Sequence, residues 1–376
     1  MNRPVLRYGI VGTGMMGLEH LRSLSALPGA EVVAVADPDG DSLARAVEVA
    51  GPEVAAFGDA GDLVEAGGVD VVVVASPNHT HRGVLEHIWG RPVHVLVEKP
   101  MATTMEDACA VARRATQHGG IVWVGLEYRY MPAIAALLAE VRGGAVGRVR
   151  MVAVREHRFP FLVKVGNWNR FNRYTGGTLV EKCCHFFDLM NALVGARPVR
   201  VFASGGQDVN HLEERYDGTR PDVLDNAFAV LEYPGGVRAS LDLCMFAEGS
   251  RFEQELSVVG DRGKVEALLP GFMEAARGRR PELVVGSRGE GWPVETREVG
   301  PDASVGYEGF HHGSTYLEHL ALRRAIVTGE RPTVSVEDGL WSVAAGLAAQ
   351  QSIAEGRGVE LSELLAGQCP GGASRV

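Results

Sequence analysis

The 376-residue sequence lacks any uninterrupted apolar run near the roughly 18 to 20 residues that cross a bilayer, so no membrane span is expected. It lacks a basic excess. Lys and Arg number 37 against 47 Asp and Glu, and the formal charge of −10 argues against nonspecific binding to nucleic acid or anionic lipid. The N-terminal MNRPVLRYGIVGTG enters a strand pattern with no signal-peptide apolar region. A cytoplasmic protein with all five cysteines reduced is therefore expected. No second Cys/His cluster accompanies Cys183-Cys184-His185, and adjacent residues on a helix diverge by about 100°, so no metal is expected either. There is no internal repeat, and low complexity is confined to the tail from Gly367. What is present is 46% hydrophobic residues, enough for a packed core in a chain whose length fits two domains.

The first third alternates short apolar runs with helical patterns. Residues 5–11, 31–36, 69–75 and 93–97 read as strands, and 80–89 and 104–118 as helices. The continuous β-branched runs predict strands of a parallel sheet covered on both faces. The pattern changes near Met131. A helix to Arg142 is followed by strands over 148–157, 199–204, 228–233, 237–245, 253–259 and 264–268, the later ones separated by turn sequences. The expected fold is α/β: a dinucleotide-binding domain over 1–130, a second domain with a large open, mostly antiparallel sheet over 131–366, and a tail over 367–376. Thr315 with Glu318 and Ser335 with Asp338 read as capping boxes opening two late helices, the first ending at Gly329.

Gly12-Thr13-Gly14-Met15-Met16-Gly17 fits G-x-G-x-x-G after a strand and before a helix. The first glycine makes the turn, the second lets backbone approach a pyrophosphate, and the third packs helix on strand. Asp37 follows Gly17 by 20 residues, at the end of the second strand, where a carboxylate accepts from ribose hydroxyls. A 2′-phosphate there would meet like charge, and no Arg adjoins, so NAD is favoured over NADP.

Two segments end later strands of that sheet, Ser76-Pro77-Asn78 and Glu98-Lys99-Pro100. Ligands of doubly wound sheets bind at such carboxyl ends. A third, Gly176-Gly177-Thr178-Leu179-Val180-Glu181-Lys182-Cys183-Cys184-His185-Phe186-Phe187-Asp188, places Glu181, His185 and Asp188 on one face if it is helical. A carboxylate beside an imidazole orients it and raises its pKa towards that of a general base. A solvated polar helix face accounts for the same residues.

In this order, the glycine loop, Asp37, Glu98-Lys99-Pro100 and the GG-x-L-x-(acid)-x-x-x-His-x-x-Asp string resemble the Gfo/Idh/MocA oxidoreductases, over nearly the whole chain. The segment 332–361 resembles that family's returning helix and final strand. The resemblance implies hydride transfer between NAD and a secondary alcohol of a cyclitol, sugar or sugar derivative. It also implies a homodimer or homotetramer packed through the second-domain sheets. Residue by residue, Lys99 matches the lysine at the reacting hydroxyl, His185 the acid/base and Asp188 a substrate-contacting carboxylate. Glu181 departs from the Asp common in inositol dehydrogenases, and Lys182 beside it is unusual and adds a charge able to bind substrate.

The expected cofactor contacts are the glycine loop, Asp37, Ser76, Pro77, Asn78, His81, Glu98 and Lys99. For His79 and His81 a role at the helix start is equally open. Tyr128, Arg129, Arg155, His157, Trp168 and Asn169 are candidates to line a polyol pocket, with Trp168 and Asn169 preferred. Two other functions fit the same residues: a glycosidase that retains NAD and oxidises its sugar transiently, and a non-catalytic NAD-sensing regulator.

Overall fold

A computed structural model of the chain describes residues 4–301, 303–366 and Cys369. The expected tail over 367–376 lies outside the described residues, Cys369 excepted.

The first sheet is built from β1 (Leu6–Val11), β2 (Ala30–Ala36), β3 (Ala55–Phe57), β4 (Val71–Val74), β5 (His94–Glu98) and β6 (Val122–Gly125). All pair in parallel, in the order β3-β2-β1-β4-β5-β6. Connecting helices are α1 (Met15–Ser25), α2 (Gly40–Ala50), α3 (Ala60–Ala66), α4 (His81–Ile88) and α5 (Met105–Ala115). The four valines of β4 are wholly buried, as a strand covered on both faces requires. Caps mark the helix starts. Asp39 accepts from the Ser42 N–H at α2, and Thr104 from the Asp107 N–H at α5. Strand order reverses between β1 and β4, which places the loops after Val11 and Val74 side by side at the crevice where ligands bind.

After α6 (Pro132–Arg142), which opens with proline in its first turn, the chain enters a nine-stranded sheet at β7 (Val149–His157). Short helices α7 (Asn172–Thr175) and α8 (Thr178–Glu181) and then α9 (Cys184–Val194) precede β8 (Arg200–Gly206). The sheet continues through β9 (Asn226–Glu232), β10 (Arg238–Cys244), β11 (Gln254–Gly260), β12 (Gly263–Leu269), β13 (Glu282–Ser287) and β14 (Val294–Glu298), with α10 (Phe272–Ala276) inserted before β13. Its order is β14-β13-β12-β11-β7-β10-β9-β8-β15, where β15 is Val359–Glu360. Only β7 and β10 pair in parallel. One face packs on helices. The other shows Met151, Phe202, Phe228 and Val230 to solvent.

Two late helices return to the first sheet. α11 (Ser314–Thr328) lies on α1, where His319 Nε2 and His20 Nδ1 are 2.9 Å apart. α12 (Val336–Glu355) runs along α5, α9 and β8 and is followed by α13 (Leu361–Ala366). Its Ser335–Asp338 capping box is formed, and Gly329 ends α11 in the left-handed region, as expected.

Two expectations fail, and four strands were not expected. Thr315 and Glu318 form no capping box: Gly313 caps α11, Thr315 is buried inside its first turn, and the Glu318 carboxylate takes the Trp123 indole N–H at 3.0 Å. The cysteines are not all thiols, because α5 brings Cys109 onto Cys369 as a disulfide. Strands β3, β6, β13 and β14 went unread. β3 has three residues and β14 is exposed at every position, so neither carries a buried-strand pattern.

Candidate active site

The glycine loop joins β1 to α1 at the crevice. A Cβ on Gly12 would lie 2.4 Å from the Ser76 nitrogen, so only glycine lets the β1 and β4 loops touch. A Cβ on Gly17 would lie 2.0 Å from the Gly12 carbonyl oxygen. Beside Gly14 nothing lies within 4 Å. The free N–H groups at the start of α1, with Met15 exposed and Met16 half-buried, look into that opening. Asp37 caps the loop: its Oδ2 accepts the Thr13 N–H at 2.6 Å and the Thr13 hydroxyl at 3.1 Å, and Oδ1 accepts the Asp39 N–H. A carboxylate has about four acceptor positions, so room for a ribose hydroxyl remains.

Across the crevice, Pro77 precedes the buried Asn78, whose side-chain Nδ2 has no partner. An orphaned buried donor, an open glycine and a helix N-terminus together fit a dinucleotide with a carboxamide end. Other expected cofactor residues have protein partners. Both His81 nitrogens face backbone carbonyls, of Ser76 at 2.9 Å and Pro100 at 3.0 Å, so this ring ties the β4 and β5 loops together. The buried Glu98 meets His20 Nε2 at 2.8 Å and accepts the Lys99 N–H at 3.0 Å. The Lys99–Pro100 peptide is cis.

Lys99 reaches from the end of β5 across to the second domain, where its Nζ donates to the Glu181 carbonyl at 3.3 Å. That carbonyl is at the end of α8. The chain then turns through Lys182 and Cys183 before α9 begins at Cys184. The expected single helical face is therefore absent. Glu181 turns to Lys164 Nζ at 3.4 Å, whereas no hydrogen bond or ion pair joins it to His185 among the described residues. Asp188 is buried, with both oxygens on Arg129, which also donates to the Thr333 carbonyl.

His185 instead stacks flat on Tyr128, with ring centroids 3.8 Å apart and planes 4° from parallel. Its carboxyl neighbour is Glu127, 3.7 Å from Nε2, and Glu127 is also 3.7 Å from His311 Nδ1. Neither residue was a candidate. Glu127 sits in a single 3₁₀ turn after β6 and His311 in the loop before α11, positions without a motif. Lys182 is buried, donating to the Tyr128 hydroxyl at 2.6 Å and pairing with Glu156 at 2.9 Å. Trp168 is half-buried, with Lys164 Nζ 4.5 Å above its ring and His79 beside it. Asn169 is buried and donates to the Leu162 carbonyl, holding its own loop. Arg155 and His157 lie on the open sheet face, paired with Glu255 and Asp242.

The electrostatics follow from this enclosure. Burial pushes the Glu127 carboxyl up to about 8, with the Glu98 charge adding and Lys99 opposing. Burial, then the charges of Lys99 and Lys182, hold the His185 imidazole well below its usual range. For Lys99 burial works against the charge, but Cys184, Glu127 and Glu98 outweigh it and its pKa is raised. At neutral pH the site therefore presents an ammonium beside a neutral imidazole.

A Rossmann-fold NAD-binding model of an oxidoreductase family matches residues 6–126, and its C-terminal alpha/beta domain matches residues 139–361. The chain is 27% identical to a myo-inositol 2-dehydrogenase of Thermotoga maritima over 365 residues, 96% of this chain and 100% of the relative. It is 31% identical to inositol 2-dehydrogenase 1 of Saccharopolyspora erythraea over 269 residues, 70% of this chain and 74% of the relative. A levoglucosan dehydrogenase solved with NADH and levoglucosan shares the fold at a TM-score of 0.79 and 22% identity, covering 95% of this chain and 99% of that one. With both domains matched in order, the chain belongs to the Gfo/Idh/MocA family of oxidoreductases.

Proposed function

We propose that the protein is an NAD-dependent dehydrogenase that oxidises a secondary alcohol of a cyclitol, sugar or sugar derivative. The observation that carries this reading is that Lys99, from the first domain, reaches the Glu181 carbonyl at the α8–α9 break, just before His185 in the second. Bound NAD would supply the hydride acceptor. Lys99, as ammonium, stabilises the developing alkoxide, and His185, held neutral, takes the hydroxyl proton. The Gly12–Gly17 loop, Asp37 and Asn78 would hold the dinucleotide. Asp37 disfavours a 2′-phosphate by charge. The Trp168 face suits the C–H surface of a sugar ring. Relatives named as inositol and levoglucosan dehydrogenases favour polyol chemistry. The exposed Phe202, Phe228, Val230 and Met151 support assembly of copies through the open sheet face.

Incubation with polyols, sugars and aminocyclitols and either dinucleotide, read as reduced nicotinamide absorbance, tests this reading. Net NADH from a free polyol, with kcat/KM higher for NAD than for NADP, is expected. No turnover of any polyol, or a better NADP value, would sink the corresponding part.

A further inference from the structure

Between His185 and the surface lies a group of buried polar atoms without hydrogen-bond partners: both carboxyl oxygens of Glu127, His185 Nδ1 and His311 Nδ1. Burying so many unpaired groups is costly unless they serve something. Glu127 Oε1 stands 3.7 Å from His185 Nε2 on one side and 3.7 Å from His311 Nδ1 on the other. Both gaps exceed a hydrogen bond, and one water or a shift of about half an ångström closes either. His311 is the outlet by position, since about a quarter (26%) of its side chain is exposed, against 2% for Glu127 and 2% for His185. Tyr128 fixes the geometry. It stacks on His185, lies 5.6 Å from the His311 ring, and is adjacent to Glu127 in one 3₁₀ turn.

We propose that Glu127 is a proton-relay residue, taking the substrate's proton from His185 and passing it to solvent through His311. The inference rests on the dehydrogenase reading above. In the oxidation, the substrate C–H bond breaks and its electron pair leaves as hydride to nicotinamide. The O–H bond breaks and its proton goes to His185. The His185 Nε2 proton moves to the Glu127 carboxylate, and Glu127 releases a proton to His311 and then to water. In the reduction every proton runs the other way.

The groups facing Glu127 set when it can accept. Glu98 and Lys99 come from β5, Lys182 from the α8–α9 turn, His185 from α9, His311 from the loop before α11, and Glu318 from α11. Burial and Glu98 keep Glu127 protonated to about pH 8 despite Lys99, while His185 is already neutral well below that. Oxidation therefore accelerates as pH rises through about 8 rather than through the imidazole range, and reduction slows over the same interval.

The test uses two readouts on the NAD-loaded protein. Infrared difference spectra without substrate should show a protonated carboxyl band that disappears through about pH 8 and is absent in Glu127→Gln. The kcat–pH profile for oxidation should lose that inflection in Glu127→Gln, with kcat lowered about ten- to a hundred-fold. Glu127→Asp, which keeps an ionisable group, should retain an inflection at a shifted pH. A carboxyl band titrating in the ordinary glutamate range, or an unchanged inflection in Glu127→Gln, overturns the proposal. The infrared titration needs no turnover. A protein that oxidised no polyol would defeat the dehydrogenase reading while the protonation of Glu127 was still measured.

Discussion

The two ends of the active crevice are built differently. At the nucleotide end, the contacts are short in sequence and complete: Thr13 to Asp37, Asp37 to Asp39, Gly17 against Gly12. Its openings, at Gly14 and Asn78, are the shape of what should enter. At the reacting end, Lys99, Glu127, Lys182, His185 and His311 come from five separate places, and several of their polar atoms are unpaired. The nucleotide end is a rigid mould. The reacting end is a charged cluster whose protonation is balanced among its members. Substitutions at the first should act through shape, and at the second through charge.

The largest effect is expected at the reacting end. His185→Ala should lower kcat by roughly 10²- to 10⁴-fold, with the NAD dissociation constant little changed, and Lys99→Ala should lower kcat by about 10²- to 10³-fold. Lys99→Arg should not restore the rate, because a planar fork replaces a compact ammonium. Steady-state kinetics beside direct NAD titration separates the two quantities. Near-normal kcat in His185→Ala would move the base to another residue.

The glycines test the mould. Gly14→Ala should weaken NAD binding by about ten-fold or more at unchanged thermal stability, since its Cβ enters only open space. Gly17→Ala should weaken binding and also destabilise the fold by roughly 1–3 kcal/mol, because its Cβ meets a backbone oxygen that cannot swing away. Equal stability losses in the two variants would contradict this division.

Glu181→Gln should have the smallest effect. Its carboxylate serves Lys164, and Lys99 uses only its backbone carbonyl, which glutamine keeps. The kinetic pH inflection should stay in place. A displaced inflection would restore Glu181 as the partner of His185.

The nucleotide end was legible because its function needs residues at fixed local spacing. A tight turn, a close approach and a ribose acceptor recur as G-x-G-x-x-G followed by Asp37, whatever the rest of the chain does. The strands β4 and β5 were equally plain, because burial on both faces writes runs of Val and Leu. Lys99 and His185 stood out through motif order. Their surroundings did not. The helical spacing that predicted Glu181 beside His185 failed once α8 stopped at Glu181. The imidazole's neighbours, Glu127 and His311, are 184 positions apart in the chain. Glu98 reaches His319 only through His20, a contact spanning 299 residues. Such pairs carry no periodic signal, because they meet only after both sheets and the returning α11 have packed. The sequence by itself determined the family's two-domain fold and its NAD-binding Rossmann domain. Which carboxylate lies beside His185 was decided by tertiary structure alone.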